Sequence, residues 1–210
     1  MSGRFITFEG GEGCGKSTQV RLLREALESV GVEVTLTREP GGTRLAELVR
    51  GLLKDELEDP PCDRAELLLF LAARAQLVRN VIRPALAAGK WVVSDRFSDS
   101  TFAYQGFGRG LPLVELRLMN DFACEGLKSD LTLLLEADAV TAARRMRSRE
   151  ATTGTVADRI ELAGDAFHTR LRDGFRSLAA AEPGRIVTID ASGSVEQVRE
   201  EVWKSVKRFL

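Results

Sequence analysis
The segment Gly10-Gly11-Glu12-Gly13-Cys14-Gly15-Lys16-Ser17 spaces its residues as G-x-x-x-x-G-K-[ST], and Thr18 follows directly. That order suits the cradling of a polyphosphate. The glycines let successive backbone N–H groups turn inward toward phosphate oxygens. A helix beginning near Lys16 adds the positive end of its dipole. Lys16 then reaches the terminal phosphates, and the Ser17 hydroxyl is placed to ligate Mg²⁺. A Gly-rich turn with no ligand has no need of Lys and then Ser at this spacing.

Two acids complete the phosphate chemistry. Asp95 ends the apolar run Trp91-Val92-Val93-Ser94-Asp95. At the carboxyl end of a buried parallel strand it lies where ligands bind, and it reads either as a Mg²⁺ holder or as a helix cap. Glu9 ends the run Phe5-Ile6-Thr7-Phe8-Glu9. It reads either as part of the metal shell or as a structural carboxylate accepting loop N–H groups.

Three further clusters pair arginine with an aromatic residue or a turn. They are Thr37-Arg38-Glu39-Pro40-Gly41-Gly42-Thr43, Leu69-Phe70-Leu71-Ala72-Ala73-Arg74, and the stretch from Asp95-Arg96-Phe97 through Ser98-Asp99-Ser100-Thr101-Phe102-Ala103-Tyr104-Gln105-Gly106. Guanidinium forks grip phosphate and a ring face stacks on a base, so these residues suit a second, phosphorylated aromatic ligand. Taken singly, Phe70 and Tyr104 also fit a core face, and Arg74 and Arg96 fit surface ion pairs.

Five short β-type runs must position these groups: Phe5–Glu9, Glu33–Thr37, Trp91–Asp95, Leu131–Leu135 and Arg185–Asp190. Helical periodicity fills the intervals, over Gly15–Val30, Thr43–Leu57, Asp63–Ala88 broken or bent near Pro84, Pro112–Gly126, Ala139–Arg149, Asp158–Ala181 and Ser194–Phe209. Strand–helix alternation predicts an α/β fold of one domain, with a five-stranded parallel sheet covered by helices on both faces. The small polar stretch Glu150–Val156 predicts a mobile loop, placed in a short lid over about residues 144–157.

Composition removes other chemistries. The chain has 210 residues, 30 Lys and Arg against 31 Asp and Glu, and a net charge of -1. That balance argues against nucleic acid or an anionic membrane as partner. A single histidine, His168, leaves no multi-His metal site, and in its charged helical surroundings it reads as a surface residue. Cys14, Cys62 and Cys124 are too scattered for a zinc site and fit a reducing compartment. The chain reaches Glu9 before an apolar run of signal-peptide length forms, so the expectation is a soluble cytoplasmic protein.

The blocks F-E-G-x-E-G-x-G-K-S-T-Q from Phe8, T-R-E-P-G-G-T from Thr37, the Phe70-to-Arg74 helix segment, D-R-F-x-x-S-x-x-A-Y-Q-G from Asp95 and Asp158-Arg159-Ile160-Glu161 together resemble the thymidylate kinase family. The resemblance implies a nucleoside monophosphate kinase of P-loop NTPase fold, moving the γ-phosphoryl group of ATP to dTMP with Mg²⁺ to supply dTTP for DNA synthesis. It implies that Glu12 meets the sugar 3′-hydroxyl and that Arg38 and Arg96 hold the dTMP phosphate. It places Phe70 against thymine, Arg74 at the base edge, Ser100 and Gln105 at or just behind the base, and Tyr104 against the deoxyribose. It also implies a homodimer, with the Asp63–Ala88 helix offering either an interface or simply core.

The phosphate loop carries no arginine, whereas Arg144, Arg145, Arg147 and Arg149 flank the lid. The chain therefore resembles the lid-arginine type, with Arg147 and Arg149 favoured over the two deeper in the helix. A solvated basic face is the alternative. Two departures stand out: Ser129 where the family usually has proline, expected to alter only turn stiffness, and extra residues over Thr152–Val156. Against the kinase stand a phosphate-loop switch protein and a deoxynucleoside kinase. The latter needs Glu39 or Glu12 as general base for a neutral hydroxyl.

Overall fold
The computed structural model describes residues 3–54, 58–153 and 162–210. Five strands, β1 (Phe5–Glu9), β2 (Val34–Arg38), β3 (Trp91–Asp95), β4 (Leu131–Glu136) and β5 (Ile186–Asp190), form one all-parallel sheet in the order β2-β3-β1-β4-β5. The helices are α1 (Lys16–Ser29), α2 (Arg44–Lys54), α3 (Asp63–Leu77), α4 (Arg83–Ala87), α5 (Ser98–Thr101), α6 (Leu113–Cys124), α7 (Ala139–Thr153), α8 (Asp165–Ala181) and α9 (Val195–Val206). The strands fall within a residue of the sequence reading. Residues 150–153, expected to begin a mobile loop, instead continue α7, and residues 162–164, expected to be helical, form a turn before α8. The predicted extension of the second helix over residues 55–57, the rest of the predicted loop and lid over 154–157 and the block 158–161 lie outside the described residues.

Period-two alternation divides the sheet into two faces. Ile6, Phe8, Val93, Leu131, Leu133 and Leu135 pack under α1 and α9. Phe5 and Val92 meet Leu77, Ile82 and Phe97 on the other face, where Leu134 also meets Phe167, Leu171 and Phe175 of α8. Each of these fully buried large side chains contributes about 1.5–3 kcal/mol by leaving water. Most of the apolar face of α3, including Leu67 and Leu71, is core.

Thr7 and Thr132 share the second face with Phe5 and Leu134, and they open a polar seam beneath the strand ends. Their hydroxyls lie 2.8 Å apart, and Thr132 Oγ1 donates to Asp99 Oδ2 at 2.9 Å. Arg185 clamps both Asp99 oxygens at 2.7 Å and also donates to Ser129 Oγ at 3.0 Å. Ser129 therefore does more than alter turn stiffness: its hydroxyl completes this seam.

The long helix does not break at Pro84: it runs on from α3 into α4, and the chain accommodates the missing N–H by widening into a π turn over Val78–Ile82 just ahead of the proline. A second π turn, Phe102–Gly108, continues α5. Sequence periodicity did not disclose this helical stretch, because Ser98, Asp99, Ser100 and Thr101 favour turns when considered locally. Tertiary packing holds it. A Cβ on Gly174 of α8 would stand 2.7 Å from Phe107, and one on Gly108 would stand 2.5 Å from Phe167. The two backbones thus approach through reciprocal glycine–phenylalanine contacts.

Candidate active site
Parallel pairing sets Phe8 beside Asp95 and Arg38 beside Asp95, so the ends of β1, β2 and β3 meet at one sheet edge. The phosphate loop leaves β1 there and enters α1. A cleft of about 580 Å³ opens over it, lined by the loop from Glu12 through Thr18. Gly10 and Gly11 lie behind that surface: their carbonyls accept from Lys16 Nζ at 3.1 and 2.7 Å. Gly13, at φ 72°, would put a Cβ 2.4 Å from the Ala142 carbonyl. No larger residue lets the loop pass so close to α7. Cys14 is buried, its thiol donating to the Gly11 carbonyl at 2.9 Å.

Ser17 Oγ donates to Asp95 Oδ2 at 2.8 Å, bringing two of the three candidate metal ligands together at the loop. No cluster of three acids, histidines or cysteines suited to a metal occurs among the described residues. A hydroxyl and one carboxylate fit an ion that takes its other ligands from phosphate and water, as Mg²⁺ does.

Glu9 takes the structural reading, with donors from a different loop than expected. Its Oε1 accepts from the backbone N–H groups of Phe97 and Ser100 at 2.8 and 3.2 Å, and Oε2 accepts from Ser100 Oγ at 2.6 Å. The carboxylate so caps α5 from the neighbouring strand, which leaves it turned from the metal position. Burial, and then the nearby charge of Asp99, push its pKa up to about 7.

Arg96 follows in a left-handed backbone conformation, φ 73°, which costs a non-glycine residue about 1 kcal/mol or more. Ser94 Oγ donates to its carbonyl at 2.7 Å and its own N–H reaches the Phe8 carbonyl at 2.9 Å. The sharp turn swings the guanidinium over the Tyr104 ring, 5.0 Å from the centroid, and onto Gly10 O at 3.1 Å and the Glu12 carboxylate. Arg149 approaches the other Glu12 oxygen at 3.7 Å. Burial alone raises the Glu12 pKa, but the charges of Lys16, Arg96 and Arg149 reverse this and hold it at about 2.

Of the lid arginines, Arg149 lines the cleft and Arg147 is exposed away from it. The correction follows from helix geometry. Arg145 and Arg149, four apart, share a face, and a residue midway points elsewhere. Arg145, passed over in the sequence, also lines the cleft, and donates to the carbonyls of Ala191 and Gly193 at 2.7 and 3.0 Å. The four-residue spacing was the available signal.

The far wing of the cleft gathers Arg38, Phe70, Arg74, Ser100, Tyr104 and Gln105, as expected. Arg38 is exposed and donates to both Glu47 oxygens at 3.0 Å. Phe70 is half-buried, one edge against α2. Arg74 is no surface residue. It is 1% exposed, and its five N–H groups go to Glu39, Thr101, Asn120 and the Phe97 carbonyl at 2.6–3.1 Å. A base carbonyl at Arg74 would have to share one of these donors. Tyr104 has a buried hydroxyl with no hydrogen-bond partner among the described residues, and burial pushes its pKa up to about 12. His168, read as a surface residue, is half-buried and lines the cleft. Its neighbours Phe167 and Leu171 face the core, which was the overlooked cue.

One corner of the cleft is shaped for phosphates and the rest for a second ring-bearing ligand, an arrangement that belongs to the phosphate-loop nucleotide kinases. The Thymidylate kinase family model matches residues 8–202. The chain is 50% identical over 208 residues to a thymidylate kinase of Solidesulfovibrio magneticus, covering 98% of this chain and 100% of that one. It is 47% identical to that of Trichlorobacter lovleyi, covering 96% of each. A solved thymidylate kinase structure from Ehrlichia chaffeensis superposes with a TM-score of 0.79 at 34% identity, over 99% of both chains. The chain belongs to the thymidylate kinase family.

Glu9 supplies a pH signature. From its ordinary range near 4.5 up to about 7, the folded chain keeps a proton that the unfolded chain releases. Its contribution to stability is therefore fully present below that window and declines as pH rises through it. Glu9→Gln, neutral at every pH, is expected to have a flatter melting temperature between pH 5 and 8 than wild type. Parallel profiles would show that Glu9 does not titrate there.

Proposed function
We propose that this chain transfers the γ-phosphoryl group of ATP to dTMP, giving dTDP and ADP. The observation that carries the reading is the convergence of Lys16, Arg96 and Arg149 around Glu12, between a phosphate loop and a ring-lined acceptor wing.

Phosphoryl transfer asks the protein for positioning and positive charge. The acceptor is itself a phosphate, with a second pKa of about 6, and is largely dianionic at pH 7. No general base is needed. Lys16 and the loop N–H groups hold the donor phosphates, Arg38 and Arg96 grip the acceptor phosphate, and Arg149 reaches the transferring group from α7. Ser17 and Asp95 would hold Mg²⁺, which neutralises phosphate oxygens when bound. Glu12 binds the sugar, Phe70 stacks on the base, Ser100 and Gln105 stand beside or behind it, and Tyr104 fills the space beside the sugar carbon that would bear a 2′-hydroxyl. The helix α7, whose Arg145 and Arg149 line the cleft, closes as a lid and excludes water. A deoxynucleoside kinase is less well supported: Glu39 is engaged by Arg74, and a carboxylate held at about 2 is a poor base. No helix among the described residues is long and apolar enough to cross a membrane. The near-zero net charge and the unpaired thiols of Cys14, Cys62 and Cys124 support a cytoplasmic enzyme of small-molecule substrates that takes no nucleic-acid partner.

Two copies pair in this reading. α3 lies against both α2 and α6, and the three helices expose Leu48 and Leu52, Leu68, and Leu118 with Phe122, the last 88% exposed. Apolar side chains so placed on neighbouring helices support a second copy as the cover.

ADP formation from ATP is expected to be clearly faster with dTMP than with dUMP, dCMP or thymidine. Rapid ATP hydrolysis without any acceptor would favour a switch protein instead. In the same assay Arg149→Ala should lose at least about tenfold in turnover, roughly 1.4 kcal/mol of barrier, while Arg147→Ala stays within about twofold. The reverse order would remove Arg149 from its role. Sedimentation equilibrium should give twice the chain mass for wild type and a single chain mass for Leu118→Asp/Phe122→Asp. A monomeric wild type would overturn the pairing.

A further inference from the structure
Glu66 forms no part of the cleft surface, yet it stands directly behind it. Glu66, Phe70 and Arg74 recur every four residues along α3 and so share one face of that helix. Phe70 and Arg74 reach the cleft, while Glu66 is 1% exposed. Its carboxylate accepts from Gln105 Nε2 at 3.0 Å and from Arg109 Nε and Nη2 at 3.3 and 3.1 Å. Arg109 is itself held over the Phe167 ring, 5.0 Å from the centroid, with Asp63 at 3.5 Å.

This pairing fixes more than a side-chain position. A carboxylate ion-paired to arginine accepts hydrogen bonds and gives none, whereas a carboxamide has one donating end and one accepting end. Gln105 must turn its NH₂ toward Glu66, which directs its Oε1 away. Gln105 lines the cleft, and no described residue donates to that oxygen. The cleft that Phe70 also lines is therefore offered a hydrogen-bond acceptor in a fixed orientation.

We infer that Glu66 sets the base preference of the enzyme by locking the Gln105 amide with its oxygen toward the acceptor nucleotide. A pyrimidine carrying a ring N–H, thymine or uracil, is complemented by that oxygen. Cytosine, whose ring nitrogen at the same position is an acceptor, meets it lone pair to lone pair, and both groups are left unpaired. Glu66 is thus a positioning residue that determines specificity without touching substrate. The inference rests on a pyrimidine monophosphate being the phosphoryl acceptor.

Glu66→Gln tests it. The substituted amide can show Gln105 either end, so the lock is released while the shape is kept. With ATP as donor, the ratio of kcat/KM for dTMP to that for dCMP is expected to fall at least tenfold. The ratio for dTMP to dUMP should stay within about twofold, because both bases carry the same ring N–H. Glu66→Asp, still an acceptor only, should keep the dTMP-to-dCMP ratio within about threefold. A merely structural Glu66 would lower all three substrates together and leave both ratios unchanged, and that result overturns the inference. If Glu66→Gln does not fold, Gln105→Met leaves the Glu66–Arg109 pair in place and must show the same loss of preference, and an unchanged ratio there overturns it too. Wild type that phosphorylates dTMP and dCMP equally overturns the inference alone. Wild type that phosphorylates no pyrimidine monophosphate overturns the function on which it rests.

Discussion
A carboxylate sealed from water at the end of the central strand ties the two halves of the cleft together. Glu9 terminates β1, immediately before the phosphate loop, yet both its oxygens serve the turn that follows β3. Through Phe97 and Ser100 it sets the start of α5, and the residue just before that turn is Arg96. The phosphate loop and Arg96 therefore share one anchor. The polar seam of Asp99, Thr132 and Arg185 supports the same turn from below. Such an arrangement tolerates a buried acid because every oxygen is hydrogen-bonded, although burial still makes its ionised form costly.

The positive charge of the site is balanced with equal economy. Three cations placed close together repel one another in a partly desolvated cleft. Glu12 lies among them, inside the phosphate loop, and its strongly depressed pKa measures how well they are compensated. Arg74 is balanced separately, by Glu39 and a ring of neutral acceptors. The Arg74–Glu39 pair is thus locally neutral, whereas Lys16, Arg96 and Arg149 outnumber Glu12 and leave the cleft positive. The near-zero charge total of the whole chain conceals that local excess.

Local signals carried much of this structure. The phosphate loop, the alternation of strands with helices and the Ser17–Asp95 pairing were legible because each depends on short-range spacing or on the shared edge of a parallel sheet. Burial was not legible: Arg74 looks like any helix arginine until α3 is packed against α6 and the turn after β3. The same holds for His168, whose side of α8 is decided by Phe167 and Leu171. Arg145 and Arg149 could have been separated from Arg147 by helix geometry alone. The π turn over Phe102–Gly108 had no local cue, since tertiary bonds rather than propensity hold it.

The reciprocal glycine–phenylalanine contacts between α8 and that π turn divide the molecule mechanically. Backbones so closely interlocked have no room to slide, so the wall bearing Tyr104 and Gln105 moves with α8 or not at all. On the opposite side α7 buries only Thr141 among its described residues, and it is held largely by polar contacts such as those of Arg145. Segments with so little buried surface open at small free-energy cost. One side of the cleft is a rigid gauge of fixed width, and the other is a compliant jaw that can shift without disturbing the gauge.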